Sequence, residues 1–330
     1  MNNNFSNVFL TCLFLLGNSV ITFFSGSIFS LVLFLLFCAF AVFVLNKTLC
    51  LTGFSVKIFK SDSGYAPFKA ILFGVLFAFC LFAFTATVND YSFVLENNTV
   101  FRIVFCVLSL CLALLNRNVI KMFAKVSFFI VVFSFLIMFL SSSRYFELSF
   151  LKNSLRVSQS LKPAFVSFLQ SFGTLFICFL FLGEQSKKSA KTISSYTLTF
   201  GAYFYLICFF NSLLVIGPKV SQMVFSPYSF SGAGIFSGGE FSRVDFVVYY
   251  VFFICAVIKC SVILWVVLNS AKQIHPVLKR VTALVFLIMG TFDFSFFNNN
   301  IVLLTLEVLA PLLFFIFLMK LNSRQQARHS

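Results

Sequence analysis

The chain is a succession of long apolar runs broken only by short polar stretches, and this one feature removes most folds from consideration. A helix needs about 20 apolar residues to cross the hydrocarbon layer of a bilayer, and only helices and closed barrels satisfy their own backbone there. Barrel strands alternate apolar and polar side chains, whereas these runs are evenly apolar, so helices are expected. Ten spans are predicted at residues 5–24, 28–45, 70–88, 100–116, 126–141, 164–183, 192–217, 246–269, 281–297 and 301–319. Hydrophobic residues make up 60% of the 330 positions and charged residues 10%, whereas a soluble domain carries about 25% charged residues. So little polar surface cannot coat a water-soluble body. The 54 Phe residues are spread along the whole length, which predicts one all-α integral membrane domain over residues 1–330. The first run lacks a basic leader and a small-residue cleavage site, and another run follows at once, so it reads as a retained span.

A formal net charge of +15 would suit a nucleic-acid partner, but the Lys and Arg residues lie between the apolar runs and form no single face. Their placement reads as membrane topology. With the N-terminus inside, inner segments hold sixteen of the 24 basic residues, Arg117, Lys187, Lys188 and Lys191 among them. Outer segments and their margins hold seven, including Arg102 and Arg243, and Lys259 lies within a span. The positive-inside rule therefore puts both termini in the cytoplasm. The basic segment 142–163 falls outside by this count, and its amphipathic pattern predicts that it lies on the membrane surface.

Ten spans divide into two sets of five, residues 5–141 and 164–319, and each set opens with an interrupted run. The first contains Gly17, Asn18 and Ser19; the sixth contains Gln170, Ser171, Phe172, Gly173 and Thr174. Broken helices in corresponding positions of two halves point to a transporter binding site, because they expose backbone N–H and C=O groups at mid-depth. Such groups are costly in lipid unless a ligand, an ion or protein meets them. The alternative is that the small residues let helices pack closely.

Further elements cluster in the second half. Ser171-Phe172-Gly173-Thr174 is followed by the basic turn Lys187-Lys188-Ser189-Ala190-Lys191, then by a long span closed by Gly217-Pro218. An outer loop with Ser226-Pro227 ends in Arg243-Val244-Asp245, and the next span contains Ile258-Lys259-Cys260-Ser261. In order and spacing, residues 165–275 resemble the spore germination permease family, the integral-membrane B subunits of germinant receptors, within the amino acid/polyamine/organocation transporter superfamily. The resemblance implies an inverted five-plus-five repeat with discontinuous helices 1 and 6. It also implies recognition of a small amino-acid-like germinant at mid-membrane, with A-type and lipoprotein C-type subunits as partners in the inner membrane of the spore. A proton-coupled amino acid permease is the alternative use of the same site. The family usually carries a glutamate where Thr174 stands, and a hydroxyl cannot hold a proton or anchor an ammonium group as a carboxylate does.

Lys259 is the residue most exposed to physical constraint. It is the fourteenth residue of its expected span, about 20 Å from the outer end at 1.5 Å per residue. An ionised Lys at that depth must face the bundle interior, a partner or water. It is either a fixed cation that replaces a coupling ion or holds carbonyl ends, or a structural interhelical donor. Glu307 lies about 9 Å deep in the tenth span and Asp293 is shallower, so neither is a comfortable direct partner for Lys259. Glu307 is expected to be protonated or to line an outer vestibule. Arg243 and Asp245 suit a local helix cap and loop anchor, with Asp245 at the positive end of the helix dipole. Gly232, Gly234, Gly238 and Gly239 mark flexible backbone without the Lys-Ser/Thr of a phosphate loop. His275, before Pro276, is expected to be solvated. Nine of the ten cysteines sit inside apolar runs as small filler, with Cys50 alone in a loop. No spacing suits a metal or a disulfide framework, and no nucleophile, base and acid are grouped. The expectation is a protein without cofactor or enzymatic activity.

Overall fold

The computed structural model describes residues 3–17, 66–94, 99–143, 146–150, 174–183, 187–216 and 244–292, with short helical pieces between 29 and 39 and between 305 and 316. The described residues are almost entirely helical and contain no strand. In chain order the longer helices are α1 (Asn3–Leu16), α2 (Ala66–Val94), α3 (Thr99–Leu114), α4 (Arg117–Ser142), α5 (Leu175–Leu182), α6 (Lys187–Ile216), α7 (Val244–Ile274) and α8 (Pro276–Thr291). They fall on expected spans one, three, four, five, the end of six, seven, eight and nine. Spans two and ten, the outer loop with its glycines and most of segment 142–163 lie largely or wholly outside the described residues. Among the described residues, three helices contain segments long and apolar enough to cross a membrane: Lys69–Asn89, Arg117–Ile137 and Tyr250–Ile274.

Several helices overrun their predicted spans. α2 covers 66–94 where 70–88 was expected, and α4 starts at Arg117 rather than at 126. Hydropathy detects only the part at hydrocarbon depth, whereas the helix continues through the interfacial layer, where water can solvate its last turns. α8 ends short of its expected limit at 297, because Phe292 is extended at φ −94° and ψ 147°.

The corners are tight. Between α3 and α4 stand only Leu115 and Asn116; the Asn116 carbonyl accepts the Val119 N–H at 2.8 Å. The Asn116 side chain accepts the Asn118 N–H at 3.4 Å. His275 alone separates α7 from α8, extended at φ −157°, with Pro276 in the first turn, where a missing N–H costs nothing. His275 is exposed as expected, and its Nδ1 also accepts the Val277 N–H at 3.2 Å, capping α8.

α3 and α4 are polarised opposite to helices of a soluble protein. On α3 the exposed side chains are Val100, Ile103, Val104, Val107, Leu108 and Leu114, while Arg102 and Ser109 are buried. On α4 Val126, Phe129, Ile130 and Phe133 face outward, while Ser127 and Ser134 are buried. An outer face that is all apolar over a partly polar inner face fits a helix with lipid on one side and protein on the other. The chain is therefore read as a helical membrane protein.

The contacts form two compact units, Met1–Val42 with Lys121–Phe172 and Ile193–Ile258, and Phe43–Ile120 with Gly173–Thr192 and Lys259–Ser330. In the first, α1 packs against α4 and α6 through rings: Phe9 stacks on Phe128 at 4.2 Å, and Phe5 meets Tyr196 at 6.1 Å. Further along, Gly201 faces Leu15, so the contacts advance in the same direction on α1 and α6 and the two run parallel. In the second unit Phe77 and Phe84 of α2 both meet Phe286 of α8 edge-on at 5.6 and 5.4 Å. Phe84 also approaches Gly290, so α2 and α8 run parallel too. Gly290 is where this unit packs most closely: a Cβ there would lie 2.5 Å from the Cys106 Sγ and 2.7 Å from the Phe84 ring. Gly290→Ala should therefore destabilise the protein by roughly 1–3 kcal/mol, the usual cost of overpacking. Thermal unfolding in detergent measures this, and adding Cys106→Ala should restore part of the loss.

Candidate functional site

Two short helices stand apart from the rest. From Val8 to Leu16, more than two full turns of α1, every side chain is buried. All eight residues of α5 are buried as well. An apolar helix that met lipid on one side would show exposed side chains there, as α3 and α4 do. α1 and α5 are therefore enclosed by protein. α5 rises only about 12 Å, less than half of a hydrocarbon layer of about 30 Å, so it cannot cross the membrane by itself.

Both helices have an end within the sequence interruptions. α1 ends at Leu16, and the N–H of buried Gly17 donates to the Leu13 carbonyl at 3.0 Å. α5 begins after Thr174, whose carbonyl accepts the Ile177 N–H at 3.0 Å. Thr174 has φ −70° and ψ −24°, is buried, and makes no side-chain cap to α5. Of the other residues singled out in the sequence, Asn18, Ser19, Gln170, Ser171, Gly173, Arg243, Asp293 and Glu307 lie outside the described residues, as does the side chain of Asp245.

Lys259 sits near the middle of α7 and is 5% exposed. Cys255, Ala256, Ile258, Cys260 and Ser261 around it are buried completely, so the lysine faces protein and not lipid. α7 is the most enclosed of the three long apolar segments. Lys259 and Thr174 belong to the same compact unit, and Gly17 belongs to the other.

Three polar features went undetected in the sequence. Asn7 and Thr11 lie one turn apart on α1, and the Thr11 hydroxyl is 2.6 Å from that of Thr197 on α6. Thr11 also reaches the Val8 carbonyl at 2.8 Å. Asn7 is buried, and its Oδ1 has no hydrogen-bond partner among the described residues. On α3, Arg102, Cys106 and Ser109 share the buried face, with Arg102 only 2% exposed. Counting Arg102 as a charge at the span margin missed this, although an arginine inside Thr-Val-Phe-Arg-Ile-Val-Phe is itself a signal. Thr11 and Thr197 carried none, because the sequence does not reveal which hydroxyls of parallel helices meet. Among the described residues no group of three His, Cys, Asp or Glu is gathered where it could hold a metal ion. No protein-family model matches this chain, and no curated protein does.

The hydroxyl pair has unequal members. Thr11 keeps a carbonyl acceptor on its own helix if Thr197 is lost, whereas Thr197 loses its partner if Thr11 is lost. Thr11→Val should therefore cost on the order of 1 kcal/mol more than Thr197→Val, and the double variant should cost less than the sum. Unfolding midpoints of the three variants in one detergent provide the measurement.

Proposed function

We propose that the chain is a multi-span membrane protein of transporter type, with both termini in the cytoplasm, that recognises a small amino-acid-like solute at mid-membrane. Recognition is assigned to Gly17, Asn18 and Ser19 and to Gln170, Ser171, Gly173 and Thr174, with Lys259 as a fixed buried cation. On the resemblance of residues 165–275, the solute is a germinant. The chain is then the B-type subunit of a spore germinant receptor, acting with A-type and lipoprotein C-type subunits in the spore inner membrane. The inverted five-plus-five arrangement of ten spans belongs to this reading.

One observation carries the proposal: α1 from Val8 to Leu16 and the whole of α5 are enclosed on every face, and each has an end at a sequence interruption. Helices that served only to fill the lipid layer would cross it and show it a side. Short, fully enclosed helices instead bring backbone ends into the protein interior, where the positive N-terminal end of α5 suits a carboxylate group. Parallel running of α1 with α6, and of α2 with α8, is what the ten-span count requires of odd-numbered spans. Lys259, buried in the most enclosed of the three long apolar segments, supplies the charge that such a site needs to tell a zwitterion from a neutral molecule.

The experiment is binding of a labelled amino acid panel to the protein in lipid nanodiscs, followed by uptake into proteoliposomes. At least one zwitterionic amino acid should bind, and Lys259→Met and Gly173→Leu should each weaken it by about tenfold or more, the loss of roughly 1.4 kcal/mol. Binding without flux supports the receptor, and flux supports the proton-coupled permease. Absence of binding across the panel, or unchanged affinity in both variants, overturns the assignment.

A further inference from the structure

Arg117 occupies a position that its own helix disfavours. It is the first residue of α4, where the helix dipole is positive and a cation is unwelcome. Its side chain turns away from that end and reaches another helix. The guanidinium lies over the Phe181 ring, 5.5 Å from the centroid. It also lies against Gly183, where a Cβ would sit 3.4 Å from Nη1. Gly183 closes α5 with φ +64°, and its N–H donates to the Phe179 carbonyl at 3.0 Å. The cation is thus at the negative, C-terminal end of α5, where its charge is favoured. Phe181 in turn packs edge-on against Trp265 of α7 at 4.8 Å. All these residues lie within one compact unit.

We infer that Arg117 is a latch that holds the C-terminal end of α5 in place, and that its release frees α5 to move about Gly183. Three features fit a latch better than a permanent brace. The two-residue corner that presents Arg117 is held by the hydrogen bonds of Asn116, so the arginine is fixed at one end. α5 is only two turns long and ends in Gly183 at φ +64° and ψ −160°, a backbone conformation that other residues rarely adopt. The Arg117 contact to α5 is a ring face and a helix end, and its Nε has no hydrogen-bond partner among the described residues. A bidentate carboxylate would bind the guanidinium more tightly and open less readily.

The role of this latch as a gate toward the exposed Lys188 and Lys191 rests on the transporter reading, but its test needs no ligand. Cys178, fully buried on α5, is a native reporter. Cys80, fully buried on α2 in the same unit, is the control for general loosening. The full chain in nanodiscs is exposed to N-ethylmaleimide, and alkylation of each cysteine is followed by mass spectrometry of its peptide. Arg117→Ala and Phe181→Leu should each raise the rate at Cys178 by about tenfold while Cys80 stays protected. Arg117→Lys, which keeps the charge and loses the plane, should fall between. An unchanged Cys178 rate in Arg117→Ala and Phe181→Leu overturns the inference. So does an equal rise at Cys80, which would make Arg117 a support of the whole unit. Absence of amino acid binding by the unsubstituted chain, with these rates as expected, would sink the proposed function and leave the latch standing.

Discussion

Lipid offers no hydrogen-bond partner, and from this constraint most of the architecture follows. Backbone groups are satisfied within helices, and side-chain hydroxyls obey the same demand by turning back on their own helix. Thr85 donates to the Leu81 carbonyl, Thr87 to Ala83, Ser134 to Ile130 and Ser270 to Val266, each at 2.7–2.8 Å and each four residues back. Bonds of this kind consume the hydroxyl proton without linking helices. The Thr11 and Thr197 pair is different in kind, because it joins α1 to α6.

With both lipid and protein apolar, the hydrophobic effect does little to bring one helix against another, and close packing must do so. The abundance of Phe becomes intelligible on that basis. In the first unit Phe128 meets Phe9, Phe200 and Phe204, and Phe135 meets Phe204 and Phe252. Most of these are tilted or edge-on, the geometry that ring quadrupoles favour, with Phe9 on Phe128 stacked. In the second unit Phe286 receives both Phe77 and Phe84 beside the cleared space at Gly290. Large flat rings and one absent side chain give a close fit at these contacts.

The functional reading depends on where this packing leaves no lipid contact. α3 and α4 display Val, Ile, Phe and Leu outward, and they hide Arg102, Ser109, Ser127 and Ser134. α1 from Val8 onward, α5 and the middle of α7 display nothing, and Thr11, Thr174 and Lys259 are buried with them. Buried charges at Lys259 and Arg102 are tolerable only because protein surrounds them, since either would be costly against hydrocarbon. Among the described residues, the enclosed stretches of α1 and α5 and the buried Lys259 and Arg102 place polar groups in the interior, and the proposed solute recognition rests on that placement.

Much of this was legible in the sequence. Evenly apolar runs of span length specify helices, because no other open structure satisfies its backbone in lipid. Thus α2, α4 and α7 lie on the runs expected at 70–88, 126–141 and 246–269. An ionised side chain deep in such a run has to face inward, which holds for Lys259. Gly17 and Gly173-Thr174 marked the places where α1 ends and α5 begins. What the sequence could not supply is which face of each helix meets protein, since lipid and protein interior select the same apolar side chains. Only the packed helices separated the enclosed α1 and α5 from the half-exposed α3 and α4. They also brought the Thr11 hydroxyl to Thr197 and carried Arg117 from the corner between α3 and α4 to the end of α5. Those contacts join residues far apart in the chain, and the hydropathy of a run contains no record of its neighbours.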